Sequence, residues 1–187
     1  MIETPRLLIQ PLALDHAQAQ ADYYERNREH LKPWEPERAP IFFTLDYQQR
    51  AIAGTLEDVA DGRSCPFVVF MRDDPERMIA SVNLFNIVRS IFSAAILGYS
   101  VDAQVEGRGI GTEAVGAVIN YVFTELRLHR VMANYNPINE RSAKLLEKLG
   151  FEREGHARDY LFLNGAWRDH ILTAKLNPDP NFKPELL

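Results

Sequence analysis

The 187 residues, 46% hydrophobic and 25% charged, are enough for one domain with a substantial buried core. The 21 basic and 26 acidic residues give a net charge of −5, which argues against nucleic-acid binding and is compatible with a basic partner. A single cysteine, Cys65, excludes an internal disulfide framework and a cysteine-rich zinc site. With no apolar run typical of a signal peptide or a membrane span, we expect one cytoplasmic domain over residues 1–187.

The first part of the chain predicts a strand, a helix, a proline-rich loop and a second helix. They lie, in that order, at about residues 6–12, 16–28, 30–40 and 46–60. Pro11 interrupts the strand, and Asp15 is suited to cap the first helix because its carboxylate can accept from N-terminal N–H groups. Gly62 is the predicted stop of the second helix.

Three extended segments follow, at residues 66–71, 78–86 and 93–101. The connections between them are short and polar, which predicts antiparallel pairing of neighbouring strands. From Ile110 onward, apolar residues recur at helical spacing as far as Leu126. This spacing predicts a helix of about four turns with one apolar face.

The last part of the chain predicts a strand, a helix and a long β-hairpin. The strand covers residues 129–136, and the helix follows from Asn139, a suitable N-cap. The hairpin turns at Asn164 and Gly165, and the proline-rich tail at 178–187 is expected to fray. The pattern predicts an α/β fold of the α+β type, with a mixed, mostly antiparallel sheet flanked by helices and one β–loop–α–β crossover.

Glycines stand at positions 107, 109 and 111, between a predicted strand and a predicted helix. Successive backbone N–H groups and a helix N-terminus make such a loop suited to an anion. No lysine precedes Thr112, so the segment is not a P-loop. Residues 109–114 fit the dinucleotide pattern G-x-G-x-x-A, but Asn134 and Asn136 stand where an acidic residue would hold the ribose. A dinucleotide, another anion, or a turn that binds nothing all remain open from these residues.

The glycine segment resembles the pyrophosphate loop of the GNAT acetyltransferases, Gln/Arg-x-x-Gly-x-Gly/Ala. Glu106, Gly109 and Gly111 align with its three defined positions, and Glu106 departs from the usual Gln or Arg. About 30 residues further on, the chain is similar to the family's N-x-x-[AS]-x-x-L-[YL]-x-x-x-GF. The matching residues are Asn139, Ser142, Leu145, Leu146, Gly150 and Phe151. With both motifs at the family's separation, the chain is identified as a member of this family.

Within the family, the chain resembles the RimJ-like ribosomal-protein-alanine N-acetyltransferases. The similar segments are residues 21–38, 129–161 and 165–174, and the similarity extends over about 4–178. The resemblance implies acetyl transfer from acetyl-CoA to the N-terminal alanine of a small-subunit ribosomal protein, with the ribosome or its precursor as a candidate partner. It implies no association with a membrane and no motif for direct nucleic-acid binding. The alternatives are acetylation of a small-molecule amine and a non-catalytic, CoA-binding role in ribosome assembly.

The resemblance also implies a site for acetyl-CoA along the predicted strand at 93–101 and the glycine loop. The implied cofactor contacts are Tyr99, Ser100, Val101, Gly107, Arg108, Gly109, Ile110, Gly111, Thr112 and Asn139. Free backbone groups around residues 99–101 would pair with the cofactor, and one N–H there could stabilise the developing oxyanion. Asn139 would contact the pantetheine arm, a role that is compatible with capping its helix.

Many family members protonate the leaving thiolate with a tyrosine, but Leu146 stands at that position. RimL-like and RimJ-like members share a serine one turn earlier, which matches Ser142. We expect Ser142 to donate to the departing sulfur; the alternative is a hydroxyl that only caps its helix. The glutamate base of RimI-type members matches Asn134, an amide that cannot take a proton. Three acidic residues stay as candidate bases: Glu113, Asp159 and Asp169.

The missing base bears on the acceptor. An α-amino group with a pKa of about 7.7–8.0 is partly neutral at pH 7, whereas a lysine with a pKa of about 10.4 is almost fully charged. A site without a strong base therefore favours N-terminal amines. Trp34 and Tyr24 are predicted to line the acceptor pocket as rigid walls, although Tyr24 could instead pack its helix against the sheet. The five histidines lack metal-ligand spacing, so no metal is expected.

Overall fold

The computed structural model describes residues 1–184 and contains eight strands and five helices within that range. The strands are β1 (Ile2–Glu3), β2 (Leu7–Pro11), β3 (Cys65–Met71), β4 (Asp74–Val88), β5 (Ala94–Val101), β6 (Arg130–Met132), β7 (Glu152–Leu163) and β8 (Ala166–Leu176). The helices are α1 (Ala17–Arg26), α2 (Arg28–Leu31), α3 (Leu45–Ala60), α4 (Ile110–Thr124) and α5 (Glu140–Lys148). Short 3₁₀ turns cover Leu14–His16, Pro40–Phe43 and Ala103–Val105. None of the helices in residues 1–184 is long and apolar enough to cross a membrane.

All eight strands belong to one sheet, in the order β1-β2-β3-β4-β5-β6-β8-β7. Every neighbouring pair is antiparallel except β5 and β6, which are parallel. Parallel neighbours need a crossover connection, and α4 supplies it. The predicted mixed, mostly antiparallel sheet with one crossover is therefore confirmed.

Helices cover both faces of the central strands. The apolar stripe of α4 is buried against one face through Ile110, Ala114, Val115, Val118, Ile119 and Val122. On the other face, Tyr23 of α1 and Leu31 of α2 pack with alternate residues of β3 and β4. Because both of its faces are covered, β3 is buried almost continuously and does not alternate between apolar and polar residues.

Strands β5 and β6 separate part-way along their length, and this separation positions the site. β5 pairs with β4 along its whole length, as far as Val101 opposite Ala80. It pairs with β6 only over residues 94–96. Beyond that point the chain after β6 stays with β8, where the Tyr135 N–H donates to the Ile171 carbonyl at 3.1 Å. Residues 97–101 therefore have one unpaired edge.

Most predicted elements are confirmed, and the differences have local causes. Asp15 does not cap the first helix: α1 begins after a 3₁₀ turn, in which the Ala13 N–H donates to His16 Nδ1 at 3.0 Å. Pro11 ends β2 without interrupting it, at a position where the missing N–H costs least. The predicted strand at 129–136 is only three residues long because the chain leaves β5 there.

The second helix and the hairpin turn are confirmed. Asn164 and Gly165 have φ angles of 49° and 72°, as a two-residue turn with both central residues left-handed requires. In the tail predicted to fray, the ring of Phe182 stacks on His129 with 5.8 Å between centroids. The last three residues of that tail lie outside the described residues. A single domain over residues 1–187 stays a prediction.

Candidate active site

A cleft of about 550 Å³ opens where β5 and β6 separate. One wall is the free edge of β5, and one end is formed by the glycine loop with the N-terminal parts of α4 and α5. Residues of α2, the loop after it, the chain after β6 and the β7–β8 hairpin line the rest. A smaller pocket of about 130 Å³ lies on the other side of α2. The larger cleft contains nearly all the residues predicted for the donor site.

The three loop glycines are required for different reasons. Gly107 and Gly109 have φ angles of 72° and 76°, and Gly109 is the N-cap of α4. Gly111 has no room for a side chain, because a Cβ atom there would lie 3.0 Å from Leu145 and 3.2 Å from Val101. The first N–H groups of a helix have no partner within it. The loop therefore presents unshared N–H groups and the positive end of α4 to the cleft, which suits an anion.

Arg108 is the one residue of the predicted loop, 107–112, that does not line the cleft. Its carbonyl accepts from Arg6 Nη1 at 2.9 Å, on the outer side of the loop. Glu113, a candidate base, is engaged there too: it accepts from Thr4 Oγ1 at 2.6 Å and from Arg6 Nε at 2.6 Å. Burial alone would raise the pKa of Glu113, but these hydrogen bonds outweigh it and lower the pKa. Glu113 fastens the connection between β1 and β2 to α4 and is a poor base.

Glu106, which departs from the family motif, bridges two helices at the rim of the cleft. Its carboxylate forms an ion pair with Arg141 of α5 and lies 3.2 Å from His30 Nε2 of α2. The side chain thus joins the glycine loop to both neighbouring helices.

Ser142 and Tyr99 form a hydroxyl pair inside the cleft. The Tyr99 and Ser142 oxygens are 2.7 Å apart. Asn139 caps α5 by accepting from the Ser142 backbone N–H at 3.0 Å, so it is the backbone of Ser142, and not its hydroxyl, that bonds the cap. Burial raises the pKa of Tyr99 to about 12, although the hydrogen bond with Ser142 lowers it. The pair is therefore protonated at physiological pH and can donate a proton into the cleft.

The side chains of β5 alternate between the two faces of the sheet. Val101 approaches Gly111 on the α4 face, as Tyr99 approaches Ser142. Ser100 points to the opposite face, where Tyr23 Oη donates to its Oγ at 2.9 Å. The predicted cofactor contact of Ser100 is thus confined to its backbone.

A buried carboxylate fixes the end of β5. Asp102 has 0% exposed surface and accepts from Arg26 Nε at 2.8 Å, Arg77 Nη2 at 3.1 Å and the Gln104 N–H at 2.8 Å. Burial would raise the pKa of Asp102, but these hydrogen bonds lower it overall. The sequence analysis did not single out Asp102, and only its position directly after β5 hinted at this role.

At the acceptor end, Trp34 lines the cleft but Tyr24 does not. Tyr24 packs edge-on against Phe42, with 4.9 Å between ring centroids, and lines the smaller pocket. The prediction that Tyr24 forms a wall of the same pocket as Trp34 is therefore corrected. The loop carrying Trp34 is held to the hairpin turn, because the Asn164 side-chain amide donates to the Lys32 carbonyl.

The remaining predicted bases lie outside the cleft. Asp169 is paired with His156 at 2.7 Å and accepts from the Asp159 N–H at 3.0 Å, on the exposed side of the hairpin. Asn134 does line the cleft, where its amide donates to Tyr160 Oη at 3.2 Å. Among residues 1–184, no group of three or more His, Cys, Asp or Glu side chains could hold a metal ion.

Comparisons with known proteins agree with this geometry. The family model described as "Acetyltransferase (GNAT) domain" matches residues 6–152. The chain belongs to the GNAT acetyltransferase family. It is 42% identical over 178 residues to the [ribosomal protein uS5]-alanine N-acetyltransferase of Escherichia coli K12, covering 95% of this chain and 91% of that protein.

Two solved structures extend the comparison. The ribosomal-protein-S5-alanine acetyltransferase of Vibrio fischeri is 41% identical, with a TM-score of 0.91 over 97% of this chain and 98% of that one. Mycobacterium smegmatis RimJ, in complex with CoA-disulfide, is 28% identical, with a TM-score of 0.87 over 94% and 84%. The protein is therefore an acyltransferase of a family that uses acetyl-CoA.

Proposed function

We propose that this enzyme transfers the acetyl group of acetyl-CoA directly to the N-terminal α-amine of a ribosomal protein, with alanine as the acceptor residue. The observation that carries the proposal is the cleft between β5 and β6, which brings the glycine loop, a free strand edge and a protonated hydroxyl pair into one space. The choice of acceptor rests on the 42% identity to the E. coli enzyme named for uS5 alanine. Such a reaction suits a cytoplasmic protein.

The glycine-loop end of the cleft is the proposed donor site. Backbone N–H groups of residues 107–112 would hold the pyrophosphate, which explains why the side chain at position 106 can differ from the family motif. Asn139 would contact the pantetheine arm while it caps α5. The unpaired edge of residues 99–101 would pair with the same arm and place an N–H at the thioester carbonyl, where negative charge develops.

The Tyr99–Ser142 pair is the proposed proton donor to the leaving sulfur. As the amine nitrogen bonds to the carbonyl carbon and the carbon–sulfur bond breaks, the thiolate needs a proton. The Ser142 hydroxyl would supply it and recover one from Tyr99, 2.7 Å away. A thiol with a pKa of about 8.5 leaves readily, so this help is modest compared with the gain from placing the reactants.

Trp34 forms the proposed wall of the acceptor site. A protein N-terminus is an extended chain and needs an open approach, and the Trp34 loop and the hairpin both line the cleft. A rigid aromatic wall can orient the first residue without specific hydrogen bonds.

A thiol-release assay tests the proposal. The enzyme is incubated with acetyl-CoA and peptides that begin with Ala, Ser or Met, beside N-terminally blocked lysine peptides and a set of small amines. We expect release with the Ala-initiated peptides, and mass spectrometry should place the acetyl group on the α-amine. Release only with blocked lysine peptides or small amines would overturn the proposed acceptor. Cofactor binding without turnover of any acceptor would indicate a non-catalytic protein.

A further inference from the structure

None of the three carboxylates predicted as the base lines the cleft. Asn134 stands at the position of a family base and cannot take a proton, and Glu113, Asp159 and Asp169 are engaged outside the cleft. His170 of β8 is one of the titratable side chains that do line the cleft, together with His30, Glu35 and Glu106. The sequence analysis assigned no function to it.

His170 is held in a defined orientation. Its side chain is buried, with the residue only 4% exposed, and its ring packs against Tyr160 with 5.4 Å between centroids. Nδ1 lies 3.1 Å from the Arg168 carbonyl oxygen. A carbonyl can only accept, so Nδ1 carries the hydrogen in this bond, and Nε2 of the neutral ring keeps its lone pair.

The lone pair of Nε2 is available. Within residues 1–184 no group forms a hydrogen bond to Nε2. Some side-chain atoms in that range, such as Arg77 Nε, have neither solvent contact nor a hydrogen-bond partner, and Nε2 is not one of them. Nε2 therefore keeps some contact with solvent. Because His170 is otherwise buried and lines the cleft, the accessible atom faces the cleft. An imidazole with one nitrogen anchored and the other free is the arrangement of a general base.

The other titratable groups at this end are less suited to that role. His30 is paired with Glu106 at 3.2 Å, and Glu35 lies 3.6 Å from Arg38 in the loop that also borders the smaller pocket. Burial raises the pKa of Glu35, which would favour a base. Its carboxylate is paired with Arg38, however, whereas His170 Nε2 has no hydrogen-bond partner within residues 1–184. The ring of Tyr160 on β7 packs against His170, and Tyr135 after β6 lines the same cleft.

We propose that His170 Nε2 is the general base that takes a proton from the acceptor ammonium group. This inference rests on the proposed acetyl transfer to an amine. Nε2 removes one proton, and the freed nitrogen lone pair forms the C–N bond to the thioester carbonyl carbon. The C–S bond then breaks. The nitrogen releases its second proton to solvent, Ser142 protonates the thiolate and is reprotonated by Tyr99, and Tyr99 regains a proton from solvent. The proton that His170 then releases is the one net proton of the reaction.

Two substitutions remove the base while they keep parts of the ring's geometry. In His170→Asn the amide nitrogen can still donate to the Arg168 carbonyl, and His170→Gln extends an amide toward the position of Nε2. We expect either change to lower kcat/KM about tenfold near pH 7, because about a tenth of an acceptor with a pKa of about 8 is already neutral there and can react without the base. His156→Gln is the matched control, because His156 lies on the same hairpin and does not line the cleft; its kcat/KM should stay within about twofold.

The pH profile separates a base from a structural residue. An acceptor whose pKa is about 8 is mostly neutral above about pH 9 and no longer needs a base. The defect of the two His170 variants should therefore shrink to less than about twofold by about pH 9.5. A defect of equal size at every pH, or a variant with wild-type turnover near pH 7, would overturn the proposal.

A measurement on the unmodified enzyme covers the case in which the variants do not fold. Diethyl pyrocarbonate acylates free imidazole nitrogens, and peptide mass spectrometry maps the modified sites. We expect modification at His170 that saturating acceptor peptide prevents; a His170 that stays unmodified would refute an accessible Nε2. All rates are measured with whichever amine the wild-type enzyme acetylates, so an error in the proposed acceptor shows in the wild type and an error about His170 shows only in the variants.

Discussion

The hydroxyl pair in the cleft gives a prediction that can be worked from its geometry. Tyr99→Phe and Ser142→Ala each remove one end of the 2.7 Å hydrogen bond. A general acid can contribute a factor of about 10² to 10⁴, but a thiolate leaving group with a pKa of about 8.5 needs only part of that help. We therefore expect each variant to lose about tenfold in kcat, or roughly 1.4 kcal/mol of transition-state stabilisation.

The two residues share one hydrogen bond, so their effects should not add. Once either hydroxyl is lost, the relay is broken, and the double variant should lose about as much kcat as a single variant, not about a hundredfold. Because the pKa of Tyr99 is raised to about 12, its hydroxyl stays protonated, and wild-type turnover should not fall between about pH 8 and pH 10 through loss of this proton.

The assay is thiol release at saturating acetyl-CoA and acceptor peptide. Tyr23→Phe is the matched control: it removes another hydrogen bond of a buried tyrosine to β5, that to Ser100 at 2.9 Å, on the opposite face of the sheet. We expect this control to lose about 1 kcal/mol of stability and to keep its kcat. Full turnover by Ser142→Ala, or a double variant whose loss is the product of the two single losses, would refute the relay.

Three further predictions concern the loop, the acceptor wall and the buried carboxylate. Gly109→Ala places a side chain on a residue whose φ is 76°, at a cost of about 1–2 kcal/mol. It should raise the Kd for CoA, measured by calorimetry. Gly54→Ala is the control, because a Cβ atom there on α3 meets open space and the Kd should not change. Trp34→Ala should raise the KM for the peptide about tenfold with an unchanged Kd for CoA, while Tyr24→Phe leaves both within about twofold. Asp102→Asn should cost about 2–3 kcal/mol in denaturant unfolding near pH 7, less than for a fully buried pair since both arginines keep solvent contact. The pKa of Asp102 in the folded protein lies below its unfolded value of about 3.9, so the stability difference between wild type and variant should disappear as the pH falls through the folded pKa. A stability difference that stays constant down to about pH 2 would contradict this prediction.

Elements with a local signal could be predicted from the sequence. The spacing of apolar residues in α4, the Asn139 cap of α5 and the Asn164-Gly165 turn each depend on neighbours within a few residues. The prediction that Asp15 caps the first helix also rested on a local signal, and it was wrong. A 3₁₀ turn held by His16 forms before α1 and displaces the cap. Local signals compete, and propensity alone does not decide which one prevails.

The site depends on contacts between distant segments, and here the residues alone were insufficient. The cleft was expected from the resemblance, since no periodicity predicts that β5 and β6 part after residue 96. Tyr99 was selected for its backbone, and its hydroxyl gained significance only where α5 brings Ser142 against β5, 43 positions along the chain. Tyr24 was misplaced because a helix position does not specify which side chain faces the cleft. His170 lies in a segment that resembles the family, but no role was assigned to it; its burial and its bond to the Arg168 carbonyl exist only in the folded hairpin.

Glu106 shows how a departure from a motif can be compatible with the activity that the motif serves. If the anion is held by backbone N–H groups, the loop's conformation matters more than its first side chain, and that conformation is set by the left-handed glycines. Position 106 is then free to carry a carboxylate, provided the negative charge is compensated. Arg141 supplies that compensation from α5, and His30 of α2 lies 3.2 Å from the same carboxylate. The carboxylate therefore adds little net repulsion toward a bound anion. It also connects the glycine loop to α2, the helix that precedes the Trp34 loop, and so fixes the positions of the two ends of the cleft relative to each other.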